Sequence, residues 1–297
     1  MKSGKLFNRP GIEAHVNPAS TAHWREYLIE AAGLGAFMLS ACSFGVLLEH
    51  PGSPIRAAIA DPTTRRVLMG VAMGLTAAAI VYSPWGQRSG AHINPCVTLT
   101  FLRLGKVDPA DAAFYVLAQF AGGATGVWLA RAMLGPALAD PSVDFVTTLP
   151  GTHGAGAAFV AEAAIAFVLM SVVLLVSNTP RIARLTGVAC ALLVATYISV
   201  EAPISGMSMN PARTLASALA AIEWRALWIY FTAPPLGMLA AAEVYLRLFG
   251  ENGVFCAKLD HPEGTPCIFC AYRARTAPRT TRSPSWETSR QATNTTT

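Results

Sequence analysis

Two short stretches place a hydrogen-bonding side chain at a helix start inside apolar sequence: His92-Ile93-Asn94-Pro95-Cys96-Val97 and Ser208-Met209-Asn210-Pro211-Ala212-Arg213. Asparagine is a favoured N-cap, and proline at the first helical position gives up an N–H that would lack a partner anyway. Helix-permissive runs follow at 98–104 and 214–221, both too short to cross a bilayer. If two such helix starts face each other, their positive dipole ends oppose cations, and the asparagine amides offer donors to a water oxygen or a solute hydroxyl. As plain caps of packed half-helices the same residues need no further role. A third cluster, Cys256, His261, Cys267 and Cys270, ends in Cys-x-x-Cys, with Asp260 and Glu263 in between. Its spacing suits a tetrahedral zinc or iron site; a disordered tail with reduced or lipidated thiols is the other reading.

The elements that must hold these groups are apolar. Hydrophobic residues make up 53% of the 297 and charged ones 13%, with a mean hydropathy of +0.42, and the apolar runs exceed what a soluble core helix needs. The chain therefore reads as an all-α membrane protein. Its net charge of +5 falls mainly in tails and connections, which suits anchoring at a lipid surface and points to no nucleic-acid partner. Residues 1–22 read as a disordered basic tail without a cleavable apolar leader, so the first span is expected to insert uncleaved. The Val16-Asn17-Pro18-Ala19 within it has no apolar setting and reads as coincidence.

Six spans follow, at about 24–48, 67–82, 110–133, 157–176, 185–202 and 224–249. Arg65 and Arg66 precede the second, and an irregular loop, 83–93, leads into the Asn94 half-helix. Irregular backbone at membrane depth is tolerated where protein buries it or where it lines a cavity. Glu30-Ala31-Ala32 in the first span is repeated as Glu162-Ala163-Ala164 in the fourth. An ionisable residue there is either turned into the bundle or close enough to the interface to be solvated. The chain thus holds two copies of one pattern, about 24–133 and 157–249 in a unit covering 23–250, with three crossings per copy. An odd number of crossings inverts the second copy, and the two half-helices then meet near the midplane. Lys2, Lys5, Arg9, Arg88, Arg103, Lys106, Arg181 and Arg184 fall on one side, expected to be cytoplasmic and to carry both termini; Arg56, Arg65 and Arg66 run against that trend. Residues 251–297 read as a cytoplasmic, cysteine-containing and mostly disordered tail.

Ser89-Gly90-Ala91-His92-Ile93-Asn94-Pro95-Cys96-Val97-Thr98 and Gly206-Met207-Ser208-Met209-Asn210-Pro211-Ala212-Arg213 resemble the two signature loops of the aquaporin and aquaglyceroporin family, the major intrinsic proteins. The likeness extends over about 24–249, including Glu30 with Gly33, Ala118-Gln119 and Glu162, and suggests a divergent, bacterial-type member. It implies six tilted helices and two re-entrant half-helices in inverted repeats, one pore per protomer, a homotetramer, and a place in the cell membrane. By the same resemblance Glu30 and Glu162 steady the two loops by accepting hydrogen bonds. Arg213 caps the outer constriction. Cys96 stands where the family has alanine, either as a small packing residue or with its thiol close to the lumen. His92 is expected to brace its loop or to donate on the lumen side.

Counting back from Arg213 by the family's spacing puts Met207 and Ile198 at the constriction, with the second-span position falling near Met73. The histidine of a water filter and the tryptophan and phenylalanine of a glycerol filter are both missing from these positions. Water, a small uncharged solute, a dissolved gas or a metalloid hydroxide all stay open as permeants. A passive channel that excludes protons and ions needs no cofactor. A proton-coupled secondary transporter and a membrane-anchored metal or redox sensor are the alternatives, the first using Glu30 and Glu162, the second the cysteine tail. Nothing supports an enzyme, since no nucleophile has a paired base and no phosphate loop is present.

Overall fold

The computed structural model describes residues 23–250, 253–262, 264–265 and 267–270. The expectations for residues 1–22 and 271–297, and for Glu263, lie outside these. In chain order the helices are α1 (Trp24–Glu49), α2 (Pro54–Ala58), α3 (Pro62–Tyr82), α4 (Pro84–Ser89), α5 (Pro95–Arg103), α6 (Pro109–Leu134), α7 (Gly154–Ser177), α8 (Thr186–Val200), α9 (Ala202–Ser205), α10 (Pro211–Ala221) and α11 (Leu227–Phe249). Among the described residues six helices, α1, α3, α6, α7, α8 and α11, are long and apolar enough to cross a membrane. The protein is accordingly an all-helical, multi-pass membrane protein.

Local chemistry explains where these helices begin. Asp61 accepts from the Thr63 and Thr64 N–H groups at 3.3 and 2.8 Å, with Pro62 opening α3. The second span therefore starts at Pro62, five residues before hydropathy alone places it, and Arg65 and Arg66 belong to its first turns. Arg65 Nη2 pairs with Glu49 Oε2 at 3.0 Å, and Arg66 Nε donates to Ser199 O at 2.8 Å. Asp108 caps α6 in the same way, through Ala110 N at 2.8 Å, ahead of Pro109. The stretch expected as a loop at 83–93 contains α4, capped by Ser83.

The two copies pack alike. A Cβ at Gly122 of α6 would collide with Ala31 O of α1, and one at Gly237 of α11 would collide with Ala163 O of α7. Ala31 and Ala163 each follow the glutamate of the repeated Glu-Ala-Ala. Without a hydrophobic drive between helices in lipid, such backbone contact is what small residues provide. It also holds the glutamates at one depth relative to the half-helices, α5 lying against α6 and α11, and α10 against α6 and α11.

Candidate functional site

Each half-helix starts as its sequence dictates. Asn94 Oδ1 accepts from Cys96 N at 2.9 Å; Asn210 Oδ1 accepts from Ala212 N at 3.0 Å and Arg213 N at 3.2 Å. Cap and proline together leave each amide group free to reach across. Asn94 Nδ2 donates to Met209 O at 2.8 Å, and Asn210 Nδ2 donates to Ile93 O at 2.8 Å. The half-helices thus meet N-terminus to N-terminus, each clasped to the residue before the other's cap. Each amide nitrogen carries a second hydrogen, and both asparagines line the central cavity.

The loops that feed these caps are strained and braced. Ala91 and Ile93 have φ of 54° and 41°, and Met207 and Met209 have 50° and 54°. Left-handed backbone is costly for a β-branched residue such as isoleucine, so it persists only where its surroundings enforce it. Glu30, fully buried, accepts from Ser89 Oγ at 2.7 Å, His92 N at 3.1 Å, Ile93 N at 2.6 Å and Gln119 Nε2 at 2.8 Å. Glu162, equally buried, accepts from Ser205 Oγ at 2.8 Å, Ser208 N at 2.7 Å and Met209 N at 2.7 Å. Tyr115 and Tyr230 donate to Ser89 O and Ser205 O at 2.7 and 2.5 Å. Beside the second cap Ser208 Oγ bonds Thr214 Oγ1, as His92 Nδ1 does Thr98 Oγ1 beside the first.

Along this axis runs a cavity of about 430 Å³. Its lining reaches from Glu49, Pro62, Arg66 and Ser142 at one end, past Asn94 and Asn210, to Val81, His92 and Leu259 at the other. Met73, Ile198, Met207 and Arg213 all line it, joined by Met69 and Arg66, which hydropathy marks only as a flank. The Nη1 of Arg213 is buried with no hydrogen-bond partner in the protein, so an unpaired donor is held beside the cavity wall that Met73, Ile198 and Met207 help to form. Pro95, Pro211 and Ala212 serve the half-helix starts and do not line the cavity.

Two buried cysteines differ in what they face. Cys96 is 1% exposed and is not among the residues lining the cavity, which favours the packing reading of the two. Cys190, buried in the same apolar core as Val194, also lines the cavity, together with Val194 and Ile198. Steps of four along α8 from Ile198 back through Val194 reach Cys190; that spacing is the sequence signal that identifies it.

Beyond α11 the described part of the C-terminal segment packs onto the bundle instead of trailing away. His92 Nε2 donates to Ala257 O at 2.6 Å, which leaves Nδ1 to accept from Thr98 Oγ1 at 3.1 Å. The same imidazole is stacked between Phe101 and Phe269, at 5.2 and 5.5 Å. Leu259 N donates to Gly90 O at 3.2 Å, and Gln87 Nε2 donates to Asp260 Oδ2 at 2.9 Å. His92 is therefore a brace between loop and tail as well as a lining residue. Cys256, His261, Cys267 and Cys270 come together, with one ligand atom from each all within 4.8 Å of one another. The Cys256 thiol, donating to Cys267, holds the latter well below the usual thiol range, aided by the Cys270 N–H and the Lys258 ammonium and opposed by burial.

Residues 17–245 match the family described as Major intrinsic protein. Among curated relatives, Aquaporin NIP2-3 of Zea mays is 37% identical over 191 residues, covering 64% of this chain and 61% of the relative. Aquaporin NIP6-1 of Arabidopsis thaliana is 36% identical over 170 residues, covering 57% of this chain and 54% of the relative. The matches thus span less than two thirds of the relatives' length. Among solved structures, the aquaglyceroporin from Plasmodium falciparum superposes with a TM-score of 0.62 at 18% identity, covering 75% of this chain and 95% of that one, a likeness of fold. With two inverted copies of one brace-and-cap arrangement and a family match over 17–245, the chain belongs to the major intrinsic protein family.

Proposed function

We infer that the chain is a passive channel for water and small uncharged solutes, and not an enzyme. The observation that carries this reading is the pair of asparagine caps, each donating to the other's loop, at the meeting point of two half-helix N-termini on a single cavity. Two positive dipole ends at one depth disfavour a cation there, and the remaining amide hydrogens orient a passing oxygen so that it cannot relay protons. The Arg213 guanidinium adds a second barrier to cations at the constriction. Transport by this route requires no cofactor.

Glu30 and Glu162, the residues a proton-coupled transporter would use, are engaged by backbone and side-chain donors that hold strained loops. That supports the role of fixed braces. The basic connections favour a cytoplasmic placement for the face bearing the C-terminal segment, in a protein of the cell membrane with both termini inside. Exposed apolar residues such as Leu117, Trp128, Leu192 and Leu236 suit contact with lipid or with neighbouring protomers of a homotetramer. Stopped-flow shrinkage of proteoliposomes against impermeant and permeant osmolytes, with conductance recorded in parallel, tests the reading. Osmotic water or polyol flux without ion current is the expected result; flux that collapses with the proton gradient would replace it with coupled transport.

A further inference from the structure

The segment that carries the cysteine cluster also ends the cavity. Leu259, 7% exposed, is part of the cavity wall at the end where Val81, His92 and Cys190 lie. It sits between two of the clustered residues, Cys256 and His261, as do Ala257 and Asp260, which bond the channel at His92 and Gln87. Phe269, stacked on His92, sits between the other two, Cys267 and Cys270. Each of these contacts with the loop before the first half-helix therefore belongs to a stretch whose ends are clustered residues.

The cluster has the dimensions of a single-ion site. Cys256 and Cys267 Sγ are 3.5 Å apart, Cys270 and Cys256 Sγ 3.4 Å, and Cys270 Sγ and His261 Nε2 3.4 Å. In a tetrahedron with zinc–sulfur bonds of ~2.3 Å, ligand atoms stand roughly 3.5–3.8 Å apart. Three thiolates and one imidazole are a zinc donor set, whereas the common iron–sulfur clusters take four thiolates. Lys258, buried beside the three thiols, offsets the excess negative charge of such a complex. The two exposed ligands, His261 and Cys270, give an ion a way in.

We propose that Cys256, His261, Cys267 and Cys270 bind one Zn²⁺ and that the ion locks the 253–270 segment over this mouth with Leu259 in the path, making the channel a zinc-closed one. Ligation fixes the shape of the Cys256 to His261 turn, and that shape presents Leu259. Removing the ion frees a segment whose described residues have almost no regular structure of their own, and the mouth opens. This gating rests on the channel reading above; the zinc site does not.

The test uses the full chain in proteoliposomes, with zinc measured by elemental analysis and permeability to water and glycerol by stopped flow. One zinc per chain is expected, with flux rising at least several-fold when a chelator strips it and falling again on adding Zn²⁺. The double variant Cys267→Ser, Cys270→Ser should lose the metal and stay open with or without chelator. Leu259→Ala should keep one zinc per chain and yet conduct, which a loss of folding cannot mimic. Absence of zinc from protein kept reduced would overturn the site. Zinc bound at one per chain with flux unchanged by the chelator and by Leu259→Ala would overturn the gate. No flux in any form, with zinc still bound at one per chain, would overturn the channel reading and the gate with it.

Discussion

Asn94 and Asn210 each donate an amide hydrogen to the carbonyl just before the other's position, Asn94 to Met209 O and Asn210 to Ile93 O, both at 2.8 Å. The clasp joins residues from opposite halves of the chain and sets the separation of two helix N-termini. A carboxylate at either position keeps the cap but turns an acceptor towards a carbonyl. Asn94→Asp and Asn210→Asp should each break one arm of the clasp, at about 1–3 kcal/mol for the buried group left unpaired. Neutral-solute flux should fall roughly tenfold or a cation conductance should appear, read by stopped flow and bilayer recording. Unchanged flux and conductance in assembled protein would refute the assigned role.

Glu30 answers to four donors and Glu162 to three. Glutamine at either position keeps the shape but points an N–H₂ at donors and removes the charge. Glu30→Gln and Glu162→Gln should each cost about 3 kcal/mol, the size of effect seen when one partner leaves a buried charged network. Thermal unfolding of the solubilised protein should show a large fall for both. Wild-type stability in either variant would mean that its loop is held by other contacts.

Mercurials discriminate between two cysteines. Cys190 lines the cavity and Cys96 does not. With Cys256→Ser, Cys267→Ser and Cys270→Ser removing the tail thiols, mercuric ion should still inhibit flux, and the further change Cys190→Ser should abolish that inhibition. Protection by Cys96→Ser instead would show that the first half-helix opens towards the lumen more than its packing here allows.

Met73, Ile198, Met207 and Arg213 all line the cavity, and we propose that they form its constriction, with three apolar walls and a donor corner at Arg213. Apolar walls do not replace lost hydration, so ions should be refused, while flexible methionines should adapt to more than one small solute. Slow to moderate water permeation with some passage of small polyols is the expected profile. Ile198→His adds a polar wall opposite the arginine and should raise osmotic water permeability relative to glycerol flux. If neither flux responds, Ile198 does not shape the filter.

How much of this was legible in the sequence follows from the range of each signal. The helix starts at Asn94 and Asn210 are local, written in a cap and a proline. So is the start of α3, where Asp61 and Pro62 overrule the hydropathy window that put Arg65 and Arg66 outside the span. Repetition of Glu-Ala-Ala and of the Asn-Pro stretches carries the inverted symmetry, because three crossings per copy leave no other arrangement.

Tertiary structure decided what periodicity in a membrane protein does not encode. A helix in lipid is apolar both on the face that meets acyl chains and on the face that lines an apolar cavity, so composition along α8 does not separate Cys190 from its lipid-facing neighbours. Only the packing of α8 turns Cys190, Val194 and Ile198 inward, while Cys96 is buried against the bundle. The position of the C-terminal segment is likewise a long-range matter. His92 and Ala257 are 165 residues apart, and no local propensity near either one specifies that bond. The sequence by itself determined which residues cap, brace and offer metal ligands; the fold alone determined which of them face one another across the cavity, and that Leu259 stands at its end.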